Sequence, residues 1–379
     1  MREALRELVC CPRCGRFPLE LTVIERSATD AADVEAGFFR CPGCARFYFV
    51  LEGIARLLTE DFAALVDTSL PDRHPGAFAA HGDELSEFLG RLAVRKPEAS
   101  AATWGLEDVA FWEDEYGREA RQEAMLAQVE RSRLDAGNRM YPREVTIFRR
   151  LRPRLAGGGV LVDLGCGAAQ AVRALCHPRD VGYHYIGCDL SLNALRLNRR
   201  TLEGDYIQCS AEQPPLRPGS ADAVIMLGTL HHLSDPTRAL GLALDIVRPG
   251  GAIGVHEVTG RSGLGRWLGP LLPGTESPHD DAVDLKQLRA RLREEGTRGV
   301  VRRGGTPART LLASRLGERM RTSPALTRAV LGLDALCMNT IGRVAPLFGP
   351  REAVIFAEKP TGATPVSLWD GARILQRDR

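Results

Sequence analysis

An apolar run ending in one acid and two glycines, Val160-Leu161-Val162-Asp163-Leu164-Gly165-Cys166-Gly167, constrains this chain more than any other feature. Residues of this kind cross a parallel sheet that is covered on both faces, and the glycines let the backbone turn sharply and pass close to a ligand. A second strand, Tyr185-Ile186-Gly187-Cys188-Asp189, ends in an acid 26 residues after Asp163. That is where a ribose diol needs a carboxylate acceptor. The expected fold is therefore α/β, a doubly wound Rossmann-like sheet with a nucleoside pocket at its strand tips. The turn continues Gly167-Ala168-Ala169-Gln170, with Gln where a dinucleotide fingerprint has its third glycine, which argues against a nicotinamide dehydrogenase.

Further blocks follow in order. A helix from Ser191 to about Leu202 leads to a short strand, Tyr206 to Cys209, and then to the loop Ser210-Ala211-Glu212-Gln213-Pro214-Pro215-Leu216. Ser220 to Leu233 reads as a fourth strand and its turn, ending Leu230-His231-His232-Leu233. Val247-Arg248-Pro249-Gly250-Gly251 closes a helix ahead of a fifth strand, Ala252 to Glu257. This series resembles the class I S-adenosylmethionine-dependent methyltransferases, type 11-like, over about residues 158–360, and it implies their seven-stranded sheet. By that resemblance Gly165 and Gly167 pass beneath the methionine and ribose parts of the cofactor, with Cys166 between them. Asp163 organises its amino group, Asp189 with Leu190 holds the ribose, and Ala211, Glu212 and Leu227 line the adenine and methyl sides. The family often has an acid at the position of Ser210; this chain has its acid two residues later, at Glu212.

At the other end, Cys11-Pro12-Arg13-Cys14 and Cys41-Pro42-Gly43-Cys44 are two C-x-x-C knuckles separated by 26 residues. Cys11, Cys14, Cys41 and Cys44 can close a tetrahedral zinc site, and four thiolates leave no open coordination position, so the Zn2+ is expected to be structural. Cys10 adjoins Cys11, but the matching Cys-Pro-x-Cys frames favour Cys11 as the ligand. The first residues are charged and read as no secretory signal, so a cytoplasmic, reducing location is expected, where clustered thiols are better explained by metal than by disulfides. The segment Phe47 to Leu58 resembles the end of small zinc ribbons related to the Trm112 methyltransferase partner. Such ribbons are often fused ahead of methyltransferase domains.

The expected organisation is a ribbon at 1–58, a linker and helical lid region at 59–157, a catalytic domain at 158–360 with an insertion at 304–350, and a tail at 361–379. Pro71 to Gly82 and Arg95 to Ser100 read as loops. Phe111 to Arg133 and Tyr141 to Leu151 read as helices, with Tyr116, Asn138, Arg139 and Tyr141 as candidate acceptor contacts. The insertion carries an apolar face, Leu326, Val330, Leu333, Leu336, Cys337, Ile341 and Val344, suited either to cap an acceptor or to pack as an ordinary helix. Leu51 to Glu115 holds 14 acids against five bases, and Lys286 to Arg328 holds 12 bases against three acids. The basic stretch, with Arg298, Arg302, Arg303, Arg309, Arg315, Arg319 and Arg321, reads either as a phosphate-binding strip or as a solvated face. With 47 arginines and three lysines in the chain, arginine abundance alone carries little weight.

Methyl transfer requires an acceptor atom held in line with the methyl group and, for a hydroxyl, removal of its proton. His231 or His232, in the turn after the fourth strand, is the candidate base, and Glu257 is the next. The preferred function is methylation at O or C of a small organic acceptor: a secondary metabolite, sugar or lipid intermediate. An RNA or translation-factor methyltransferase is the first alternative, and a non-catalytic cofactor-binding scaffold is the second.

Overall fold

In a computed structural model the described residues are 1–94, 101–134, 141, 143–261, 283–304, 325–326, 329 and 350–362. Eleven strands form one sheet in the order β1-β2-β3-β4-β7-β6-β5-β8-β9-β11-β10. They are β1 (Glu20–Arg26), β2 (Val34–Arg40), β3 (Phe47–Leu51), β4 (Ile54–Arg56), β5 (Val160–Leu164), β6 (His184–Asp189), β7 (Asp205–Gln208), β8 (Ala221–Leu227), β9 (Val247–Arg261), β10 (Arg298–Gly304) and β11 (Pro350–Glu358). The seven strands from β7 to β10 reproduce the order implied for the class I sheet. β5, β6, β7, β8 and β9 are parallel, and β11 runs antiparallel between β9 and β10. The residues of β5 to β8 are mostly buried because helices cover both faces, which is why β5 and β6 read as continuous apolar runs rather than alternating ones.

Two core layers sandwich the sheet. On one face Val162, Ile186, Ile207 and Val224 pack with Leu240, Ala243 and Leu288, from helices Pro236–Ile246 and Leu285–Glu294. On the other, Leu161, Tyr185 and Ile225 pack with Ile147, Phe148 and Leu151 of the helix Glu144–Leu155 and with Leu195 of the helix Leu192–Thr201. The helix Glu144–Leu155 continues past Pro153, the expected stop, because Leu155 is itself buried in this layer. The segment expected as one helix from Phe111 is two, Ala101–Gly117 and Glu119–Leu134, broken at Gly117.

The N-terminal region is not a bead on a linker. β4 pairs in parallel with β7, with Ile54 opposite Tyr206 and Arg56 opposite Gln208, so the ribbon extends the catalytic sheet. Met1, Leu5, Val9 and Tyr48 lie in the same core layer as Val162 and Ile207. Beyond the strands, the 27–33 excursion docks through Asp33 on Arg199 at 3.0 Å. The 71–82 stretch, expected as a loop, is a string of short helical turns that presses Phe78 against Phe38, ring centroids 4.3 Å apart. That contact covers the outer face of β2 and β3, which would otherwise expose a row of phenylalanines. Among the described residues no helix is long and apolar enough to cross a membrane. Val330 to Val344, Asn138, Arg139 and the arginines at 309–321 lie outside the described residues.

Candidate functional site

At the carboxyl ends of β5, β6, β7 and β8 lies a cavity of about 350 Å³, a size typical of small-molecule sites. All nine residues expected to hold the cofactor line it: Asp163, Gly165, Cys166, Gly167, Asp189, Leu190, Ala211, Glu212 and Leu227. Gly165 and Gly167 have φ of +73° and +45°, a left-handed backbone that side chains disfavour. A Cβ at Gly165 would stand 2.5 Å from the Thr229 hydroxyl oxygen, and one at Gly167 2.5 Å from the Tyr116 hydroxyl oxygen. The turn is therefore a cradle that no side chain can enter.

Two acids flank it. The Gly167 and Ser191 N–H groups, each at 2.8 Å, donate to the two oxygens of Asp189 and fix its carboxylate at the β6 tip. Burial nevertheless pushes its pKa above the usual carboxylate range. Asp163, fully buried, receives the Tyr185 hydroxyl at 2.9 Å. Burial drives its pKa up to about 7, the Tyr185 bond opposes the shift, and the Asp189 charge adds to it. A ligand bringing an ammonium group and hydroxyls offsets this cost of burying charge. The residues therefore fit a cofactor such as S-adenosylmethionine. On the adenine side, Ser210 Oγ accepts from the Glu212 N–H at 3.1 Å. Glu212 itself accepts from Ser234 Oγ at 2.6 Å and from the Asp235 N–H at 2.8 Å, so its carboxylate also ties down the turn after β8.

The opposite wall comes from the lid. Asp108, Val109, Trp112 and Tyr116 on the helix Ala101–Gly117 face the cavity, as do Phe62, Tyr141 and Glu144. Glu113 of the same helix accepts from the Leu192 and Asn193 N–H groups at the start of the helix after β6, and Asn193 Nδ2 donates to the Glu113 carbonyl at 3.0 Å. A carboxylate at that N-terminus meets unsatisfied N–H groups and the positive end of the helix dipole, and so locks the lid beside the ribose-side acid. Asp108, Phe62 and Glu113 escaped sequence reasoning. The i, i+4, i+8 spacing of Asp108, Trp112 and Tyr116 was the available signal, since it places all three on one helix face.

The three catalytic candidates separate. His232 lines the cavity. His231 and Glu257 are not among the lining residues: His231 Nδ1 lies 2.7 Å from Glu257 Oε2, while Glu257 Oε1 accepts from the Thr229 and Leu230 N–H groups. Burial raises the Glu257 pKa, but the His231 bond and the two backbone donors outweigh it and hold the group ionised, below its ordinary value. This pair pins the turn that presents His232. His256, next to Glu257, is buried instead against Glu144 at 3.0 Å and Glu352 at 3.4 Å.

The four knuckle cysteines converge, their sulfurs all within 4.8 Å of one another. Cys11 and Cys44, and likewise Cys14 and Cys41, lie 3.6 Å apart. Tetrahedral zinc with bonds of about 2.3 Å holds its sulfurs about 3.8 Å apart, close to the separation of these two pairs, so the set fits Zn2+. The knuckles repeat each other: the Cys11 and Cys41 N–H groups donate to the Arg16 and Arg46 carbonyls, and the Gly15 and Ala45 N–H groups donate back to the cysteine carbonyls. Arg46 then pairs with the buried Glu60, two residues before Phe62 at the cavity wall.

Residues 162–255 match the family described as a methyltransferase domain. The chain is 33% identical over 107 residues to a ubiquinone biosynthesis O-methyltransferase of Cupriavidus pinatubonensis, covering 27% of this chain and 42% of that protein. It is 30% identical over 100 residues to the tRNA (carboxymethyluridine(34)-5-O)-methyltransferase ALKBH8 of Macaca fascicularis, covering 26% of this chain and 14% of that one. A solved S-adenosylmethionine-dependent methyltransferase from Archaeoglobus fulgidus is 18% identical and covers 57% of this chain and 92% of that one, with a TM-score of 0.39. The chain spans less than half the length of either curated relative.

Proposed function

We propose that this chain, a class I S-adenosylmethionine-dependent methyltransferase with an N-terminal four-cysteine ribbon, methylates a hydroxyl of a small organic acceptor. One observation carries the reading: a cavity of about 350 Å³ joins the strand-tip acids and glycine cradle on one wall to His232 and an aromatic lid on the other.

When bound, the cofactor supplies a methyl group transferable from sulfur to oxygen, which leaves the acceptor's hydroxyl proton to be removed. Asp163 would hold the amino group, Asp189 the ribose hydroxyls, and Gly165 and Gly167 the backbone floor. His232 takes the proton: it is the imidazole that lines the cavity, and a general base acts within hydrogen-bond reach of the proton it removes. The lid helix excludes water and positions the acceptor. Four thiolates would hold Zn2+ closed to substrate, so its part is structural.

The test is incubation of the full chain with methyl-tritiated S-adenosylmethionine and host extract, followed by separation of small molecules, lipids, protein and RNA. Label in the small-molecule or lipid pool is expected, and label in RNA or protein would overturn the acceptor class. With the labelled acceptor in hand, His232→Gln is expected to lower kcat about 100-fold. His231→Gln should act chiefly on stability, through its Glu257 contact; equal kcat losses would remove His232 from its role.

A further inference from the structure

We propose that Asp108 is an acceptor-binding residue that takes a hydrogen-bond donor carried beside the hydroxyl to be methylated, and that the acceptor is therefore a ring compound with two adjacent donors. The inference rests on the methyl-transfer reading of the same cavity. Asp108 is 5% exposed, yet it lines the cavity. Neither of its carboxylate oxygens has a hydrogen-bond partner among the described residues. His232 Nδ1 approaches Oδ2 to 2.9 Å without the alignment of a hydrogen bond. That contact leaves both oxygens without a hydrogen bond. Buried polar groups seldom stay unsatisfied, and such a group at a cavity wall marks where a ligand supplies the missing donor.

Glu113, one turn along the same helix, makes the contrast: its carboxylate is spent on the N-terminus of the helix after β6. Of these two acids, the one that faces the cavity is the one without a hydrogen-bond partner among the described residues. Because Asp108 and His232 stand side by side, the groups they bind must also be neighbours on the acceptor. The surrounding surface is flat and aromatic. Trp112 stacks on Tyr116 at 5.6 Å and 24° and meets His232 edge-on at 5.8 Å, and Phe62 adds a further ring. Aromatic lining of this kind favours a planar ring against it.

The experiment uses the full chain loaded with S-adenosylhomocysteine and titrated calorimetrically with 1,2-dihydroxybenzene and with 1,2-dimethoxybenzene, which carries no donor. The dihydroxy compound is expected to bind at least about tenfold more tightly, because the diether has no O–H to give Asp108. In Asp108→Ala the preference should shrink to about twofold or less, and Asp108→Asn, which keeps one acceptor oxygen and the side-chain volume, should fall between. S-adenosylhomocysteine affinity within about twofold of the parent shows that each variant is folded. Absence of binding by either probe, absence of preference in the parent, or a preference surviving in Asp108→Ala overturns the proposal. Methyl transfer to small acceptors with no dependence on Asp108 would sink this inference alone. A probe preference that depends on Asp108 in a chain that transfers no methyl group would sink the functional reading and leave Asp108 as a binding residue.

Discussion

The two walls of the cavity are built from different materials. On the cofactor side the surface is mostly main chain: strand tips, two glycines at positive φ, and Asp189 gripped by neighbouring N–H groups. Side chains make the acceptor side, and they come from a lid helix, the ribbon's exit and the turn after β8. A main-chain surface is held by the whole sheet and rejects substitution. A side-chain surface is held by packing and can be altered one residue at a time. The first suits a ligand that does not vary, and the second suits one that does.

The ribbon touches both walls, so its loss should erase the distinction and produce the largest effect. Val9 bridges Leu216 and Cys10 donates to Pro215 in the cofactor-side loop, while Arg46 holds Glu60 near Phe62. Chelation of the metal, or Cys14→Ser with Cys44→Ser, is expected to lower the calorimetric unfolding midpoint by about 10 °C or more and to weaken cofactor binding with it. A ribbon that melts alone, with cofactor affinity intact, would break the link. Next, Gly167→Ala places a methyl group 2.5 Å from the Tyr116 hydroxyl at a φ of +45°. Cofactor affinity by calorimetry should fall about 100-fold, and Ala variants on the lid should spare it.

Proton linkage offers a third separation. Asp163 has a folded-state pKa raised from its ordinary value to about 7. Its burial therefore destabilises the free protein progressively as pH rises from about 4 to about 7. The cofactor's ammonium needs the ionised form, so affinity should rise over the same span. Ionisation is about 3% at pH 5.5 and about 90% at pH 8, which predicts about 30-fold tighter cofactor binding at the higher pH. A flat profile would remove Asp163 from the ammonium contact. The smallest effect belongs to the lid's lock: Glu113→Gln should cost about 1 kcal/mol and raise the acceptor KM several-fold, with cofactor affinity nearly unchanged.

This contrast also explains what could be read in the sequence. Asp163, Gly165, Gly167 and Asp189 were legible because strand, turn and acid lie close together along the chain and the local backbone fixes their spacing. The four cysteines were legible for the same reason, knuckle by knuckle. His232 could not be told from His231, because the choice depends on Glu257 capturing one ring from the neighbouring strand. Asp108 and Phe62 were missed because they meet the cavity only through tertiary docking of segments that lie 55 and 101 residues before Asp163 at the β5 tip. The pairing of β4 with β7 was hidden for a related reason: a three-residue strand carries no signal of its partner.

That pairing has a consequence for solubility. Without the ribbon, β7 would end the parallel sheet with a bare row of N–H and C=O groups beside apolar residues, a template for joining another chain. The ribbon moves the free edge to β1, where Glu20, Glu25 and Arg26 carry charge and the register slips twice near Glu25. Kinked, charged edges resist self-association. The ribbon thus also serves as an end-stop, keeping a long sheet from recruiting its own copies.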